Sequence, residues 1–101
     1  MDCSGFVVAV FSRLGIEGLP RTTRDQFRDS RPVSRVQARP GDLVFFRSSG
    51  MGRINHVGIF MGEQTFAHSS TSRGVVYSRL DETYYRRRLV GFRRMVHRAA
   101  R

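Results

Sequence analysis

The apolar positions of this chain change period once, and that change fixes the class of fold. Phe6, Val7, Val10, Phe11 and Leu14 recur at helical spacing and stop at Gly15, a residue type suited to ending a helix. The spacing predicts a helix from about Cys3 to Leu14, with Asp2 or Cys3 near its cap. After the connector Gly18-Leu19-Pro20, the run Thr23-Arg24-Asp25-Gln26 fits a capping box and predicts a short helix over 23–29. Beyond the turn signal Arg39-Pro40-Gly41-Asp42 the pattern becomes short apolar runs broken by Gly and Ser. Strands are predicted at 43–46, 56–61, 65–68 and 75–78, with a last one over 89–96. The stretch 81–88 is ambiguous and compatible with one helical turn. Helices first, then closely spaced strands, give an α+β layout with an antiparallel sheet of about five strands.

Length and charge bound the function. At 101 residues the chain is one small domain. Its longest apolar run, Phe6 to Phe11, is far shorter than the roughly 20 residues of a membrane span. No basic region followed by an apolar stretch opens the chain, so no signal peptide is visible, although a mature segment would look the same. Eighteen basic residues, all Arg, against eight acidic ones give a net charge of +10. That sign favours anionic partners such as nucleic acid, anionic lipid or an acidic wall polymer. It fits equally a solvated basic surface. No stacking-aromatic or groove-reading motif accompanies the charge, so no specific nucleic-acid partner is expected.

Cys3 is the single cysteine, which excludes an intramolecular disulfide and a Cys-only zinc site. A lone Cys is ordinarily a small buried apolar residue. Here it falls at the predicted start of a helix, where free N–H groups and the helix dipole favour a thiolate. A nucleophilic thiolate needs a base or imidazolium partner. His56 and His68, on adjacent predicted strands, are available, whereas His97 lies in the Arg-rich tail and reads as solvated. Both histidines serve one site only if they project from one sheet face. A three-residue loop over 61–63 would place His56 opposite His68, whereas a two-residue turn shifts the parity and needs a bulge to restore it. Gly62 suits either solution. Cys3, His56 and His68 would also suffice as the three protein ligands of a catalytic zinc. Asp2 reads as a helix cap or a substrate contact. Gly58 reads as a point of close packing against the Cys3 helix. Phe6, Phe11, Phe45, Phe46, Phe60 and Phe66 read as core.

Five segments in order resemble one family. Asp2-Cys3-Ser4-Gly5-Phe6-Val7 is similar to the nucleophile motif of the NlpC-type papain-like cysteine endopeptidases of bacterial cell walls. Leu19-Pro20-Arg21-Thr22-Thr23 with Gln26, then Arg39 to Phe46, match the family's next two segments. Asn55-His56-Val57-Gly58-Ile59 matches its catalytic-histidine motif, and Phe66-Ala67-His68-Ser69-Ser70 that of its third polar residue. The tail from Tyr84 looks closest to the MepS (Spr) lipoprotein branch.

The resemblance implies a papain-like fold and hydrolysis of peptide bonds in peptidoglycan stems or crosslinks. By the same resemblance Cys3 is the nucleophile, His56 the general base and acid, and His68 the residue that orients His56. The Cys3 backbone N–H helps bind the oxyanion, and Asp2, Ser4 and Asn55 are candidate substrate contacts. No metal and no cofactor are implied. The expected partners are peptidoglycan peptides, and the expected setting is the cell envelope: the periplasm, with outer-membrane anchoring in a full-length protein that is a monomer when complete.

The family pattern includes a helical segment ahead of the cysteine that supplies a Tyr to the active site, whereas only Met1 and Asp2 precede Cys3 here. Met1 falls where the family often has an apolar residue such as Val, as if an internal GTG codon had been read as a start. The chain 1–101 therefore reads as a single catalytic domain lacking its upstream segment. On that reading it should expose an apolar strip of the Cys3 helix or the sheet, be marginally stable or self-associate, and hydrolyse weakly. The rival function is a wall-binding module of low turnover.

Overall fold

The computed structural model describes residues 2–49 and 51–95. Met1, Val96 and His97 lie outside the described residues, and with them the reading of the start codon, the end of the last strand and the solvated histidine. Helix α1 spans Cys3–Arg13 and is capped by Asp2, whose side chain accepts from Gly5 N. Its far end closes as predicted at Gly15 (φ +85°). Gly15 N donates to Ser12 O, and Ile16 N donates to Phe11 O, the paired bonds that satisfy the last carbonyls of a helix. Helix α2 is Thr23–Arg28, capped by Thr22 rather than Thr23. Gln26 therefore does not close a capping box. The one-residue shift turns Thr23 and Gln26 toward α1 instead, with consequences at the site.

Six strands follow: β1 Ser30–Val33, β2 Leu43–Arg47, β3 Ile54–Gly62, β4 Thr65–Ser70, β5 Gly74–Arg79 and β6 Leu89–Met95. A short helix α3, Thr83–Arg88, resolves the ambiguous stretch. The sheet runs β1-β6-β2-β3-β4-β5, and all its pairings are antiparallel. The sixth strand, β1, was not legible because Ser-Arg-Pro-Val lacks a strand pattern. It is an edge strand pairing only with β6, so Pro32, which has no N–H to donate, is tolerated there.

Strand β2 sits near the centre and is buried on both faces. Leu43 and Phe45 pack with Val7, Phe11, Val57 and Ile59 beneath α1. Val44 and Phe46 pack with Phe60, Phe66, Leu80 and Phe92 on the opposite face. Phe6 is only partly buried; the other phenylalanines expected in the core are buried. Gly58 does not serve α1. A Cβ there would stand 2.7 Å from Phe66 Cδ2 and 3.2 Å from His68 Cβ, so the close approach is to β4. Phe6 and Val10 of α1 face Val75 and Tyr77 across an apolar groove, and Leu14 and Tyr77 are 70% and 72% exposed. No described helix is long and apolar enough to cross a membrane.

The space at Gly58 is tested directly. Gly58→Ala must displace Phe66 or the Ala67 carbonyl, 3.0 Å away. Overpacking of this kind costs about 1–3 kcal/mol. Urea unfolding should therefore show a lower midpoint at unchanged slope, and a variant as stable as its parent would mean that β4 yields freely.

Candidate active site

The site forms where the N-terminus of α1 meets the first residues of β3. Cys3 occupies the first turn of α1 and is partly buried. Its sulfur lies 3.4 Å from Thr23 Oγ1 and donates toward Asn55 O at 3.8 Å. Among the described residues these are its hydrogen-bonding contacts, and no such bond joins it to His56. Cys3, His56 and His68 nonetheless line one cleft of about 420 Å³, together with Asp2, Asn55 and Arg88.

The β3–β4 hairpin takes the second of the two routes open from sequence. Its turn is two residues, Glu63 and Gln64, both at positive φ. Gly62 pairs with Thr65, but Phe60 pairs with Phe66, so a bulge at Met61 restores the parity. Both histidines consequently point to the sheet face opposite α1. His56 is paired with Phe46, and His68 stacks near Phe66 at a centroid distance of 4.5 Å. The imidazoles meet edge to face, with His56 Nε2 2.7 Å from His68 Nδ1. The other nitrogen of His68 lies 2.9 Å from Ser78 Oγ, a buried hydroxyl on β5.

This chain of bonds dictates tautomers. For Nδ1 of His56 to accept a proton, its own proton must sit on Nε2 and donate to His68 Nδ1. The His68 proton then sits on Nε2 and donates to Ser78 Oγ. Burial depresses the basicity of His56. Burial, the neighbouring His56 and the charge of Arg73 together push His68 down to about 4. Both rings are therefore neutral at pH 7, and the relay holds one extra proton far more readily than two.

The remaining sequence candidates separate. Asp2 lines the cleft, but Oδ1 is engaged with Gly5 N at 2.7 Å and with Ser4 Oγ at 3.5 Å. Ser4 is buried, facing the core rather than the cleft. Asn55 is exposed on the cleft wall and contacts the thiol through its backbone carbonyl. Among the described residues no group of three or more His, Cys, Asp or Glu side chains is arranged to hold a metal ion.

Three participants were not placed at the site by the sequence reading. Thr23 reaches the sulfur. Gln26, fully buried, donates to Ser4 O and Pro20 O and so fastens α2 to the first turn of α1. Ser78 carried no signal in the sequence: it is one polar residue in the run Val75-Val76-Tyr77-Ser78, and its burial belongs to the fold.

The chain has relatives among known proteins. The sequence profile of the NlpC/P60 family matches residues 1–94. The chain is 45% identical over 100 residues to the murein DD-endopeptidase MepS/murein LD-carboxypeptidase of Escherichia coli, covering 98% of this chain and 52% of that protein. It is 42% identical over 95 residues to the bifunctional muramidase/DL-endopeptidase CwlT of Bacillus subtilis, covering 93% of this chain and 28% of that one. Among solved structures, an NLP/P60-family protein of Staphylococcus aureus, described as similar to a lipoprotein, superposes with a TM-score of 0.83 at 34% identity, covering 96% of this chain and 32% of that chain. The chain thus spans about half the length of MepS and less of the others.

The neutral, buried His68 has a consequence for stability. Its folded-state pKa of about 4 lies below the ordinary 6.5, so between those values the unfolded chain binds the proton and the folded one does not. Stability should therefore fall as pH is lowered from 6.5 toward 4, with no further contribution from this group below that. His56 acts in the same direction. Denaturant melts across this range should show the decline, and His68→Asn should flatten it; an unchanged slope in that variant would assign the decline elsewhere.

Proposed function

The chain belongs to the NlpC/P60 family, and from that premise we propose that it is a cysteine endopeptidase acting on the peptides of peptidoglycan. The observation that carries the reading is the cleft shared by Cys3 and a part-buried two-histidine relay. In this mechanism the Cys3 thiol leaves the Asn55 carbonyl, turns to Nδ1 of His56 and gives up its proton as sulfur attacks the amide carbon. Thiol–base contacts of this kind are often loose without substrate and tighten around it. The tetrahedral oxyanion is met by the Cys3 backbone N–H, one of the donors that a helix leaves unpaired in its first turn.

The proton taken by His56 goes to the leaving amine, the C–N bond breaks, and a thioester to Cys3 remains. Water, deprotonated by His56, then attacks the thioester. The new carboxylate departs and the sulfur recovers its proton. Through both half-reactions His68 accepts from Nε2 of His56 and keeps Nδ1 turned to the reacting atoms. His68 thereby acts as the third member of a triad, with Ser78 holding it in turn. Asn55 and Asp2, on the cleft wall, are the proposed substrate contacts from the sequence motifs, with Ser4 supporting Asp2 from behind.

We read the described residues as one catalytic domain of a protein that is a monomer when complete. The bacterial cell envelope is the setting that this chemistry requires. Within it we place the enzyme in the periplasm, held at the outer membrane by a lipid on a longer chain.

Digestion of purified muropeptides with mass analysis of the products tests the reading. The chain should release peptide fragments, and Cys3→Ala should release none. His56→Ala should lower kcat by about 10²–10⁴-fold, the range for general acid–base assistance. Fragment release by Cys3→Ala equal to that of the parent would overturn the proposal.

A further inference from the structure

Arg88 stands on the cleft wall with Cys3 and His56, and it is held there without a counter-ion. Its guanidinium lies over the ring of Tyr84, 3.8 Å from the centroid. Nε donates to Ser48 O at 3.2 Å, and Nη1 donates to Tyr84 O at 3.1 Å. These contacts fix the plane of the group and leave both Nη2–H donors unused. Among the described residues no carboxylate pairs with it.

The nearest acids along the chain are committed elsewhere. Asp81 pairs with Arg79, and Glu82 accepts from the Arg79 backbone N–H. The carboxylate on the cleft wall, Asp2, caps α1. A second guanidinium, the exposed Arg47, lines the same cleft. The cleft therefore presents two cations against one occupied carboxylate. A guanidinium stacked and oriented in this way offers a planar fork suited to bidentate binding of a carboxylate.

We propose that Arg88 is a specificity-determining residue that binds a free carboxylate of the peptide substrate, away from the bond being cut. The inference rests on the peptide hydrolysis proposed above and adds what the peptide must carry. The carboxylate can be the C-terminus or a side chain. An uncharged amide at the same place leaves the Arg88 donors poorly matched, and peptides amidated there bind worse. Arg88 does not touch the reacting atoms, so its loss raises KM more than it lowers kcat.

The test uses the full chain with three versions of one stem peptide: all carboxyls free, the C-terminus amidated, and the side-chain carboxyl amidated. One amidation should lower kcat/KM by about 10- to 100-fold, chiefly through KM, as expected for losing a charge-assisted contact. Which of the two does so identifies the source of the carboxylate. Arg88→Gln should level the difference between acid and amide, and Arg88→Lys should retain part of it.

Equal cleavage of all three peptides by the parent would overturn the inference while leaving the hydrolase reading intact. A preference that survives in Arg88→Gln would overturn it as well. Should the parent cleave none of them, the hydrolase reading fails. Calorimetric binding of the acid and amide peptides to Cys3→Ala then decides this inference alone: tighter binding of the acid upholds it, and equal binding or none overturns it.

Discussion

The hydrogen bond between His56 and His68 depends on one extra residue in strand β3. Gly62 pairs with Thr65 across a two-residue turn, and continuing that register unchanged would set Gly58 opposite Ser69. His68 would then point to the α1 side of the sheet, away from His56. The bulge at Met61 moves the pairing by one, so that Ile59 meets Ala67 and the two imidazoles share a face. The hairpin holds this register at some expense. Glu63 and Gln64 both adopt left-handed backbone, which costs non-glycine residues roughly 1–2 kcal/mol each. That strain persists because Gln64 O accepts from Leu80 N and Gly62 takes a positive φ that a side chain would disfavour.

What surrounds the relay sets its electrostatics. His68 packs on Phe66 and meets Tyr85 edge to face, and His56 packs near Phe46, so the rings trade water for apolar walls. Burial favours the neutral forms. A neutral His68 is a weaker acceptor for an imidazolium at His56 than a carboxylate would be. It orients the ring without making His56 strongly basic, which suits a group that must both take a proton from sulfur and surrender it to an amine. Thr23, on the other side of the sulfur, adds a hydroxyl that can donate once the thiol has lost its proton.

Much of this was legible in the sequence, for identifiable reasons. The helical period up to Leu14, the cap at Gly15 and the apolar run of β2 are local signals, and each matched the structure. The partnership of His56 and His68 was readable as a parity problem with two solutions, and choosing between them required the turn itself. Strand β1 was invisible because its stability comes from β6, more than fifty residues away, rather than from its own side chains. Thr23 and Gln26 were misassigned by one residue of capping register. Gly58 was assigned to the wrong neighbour because spacing along a strand says that a small residue is needed without saying which side needs it.

The turn Arg39 to Asp42 carries the other half of the architecture, and it responds to acid differently from the site. Gly41 N donates to Phe60 O and Phe60 N donates to Asp42 O, tying the start of β2 to the end of β3. The buried Asp42 carboxylate accepts from Arg39 N and from two nitrogens of Arg94 on β6. Burial alone would raise the pKa of Asp42, but the Arg94 and Arg39 bonds and charges outweigh it and hold the carboxyl below its ordinary 3.8. A depressed carboxyl stabilises the fold at every pH above 3.8 and loses that contribution only as pH falls through its lower, folded-state value. His68 acts in a different window: its penalty accumulates as pH falls from 6.5 toward about 4, whereas the Asp42 contribution is lost below 3.8. Acid therefore weakens the fold at two parts of one sheet, the relay over the higher range and the β2–β3–β6 junction over the lower. The junction that sets the strands in register thus rests on a carboxylate paired with Arg94, and the site those strands build rests on two neutral imidazoles.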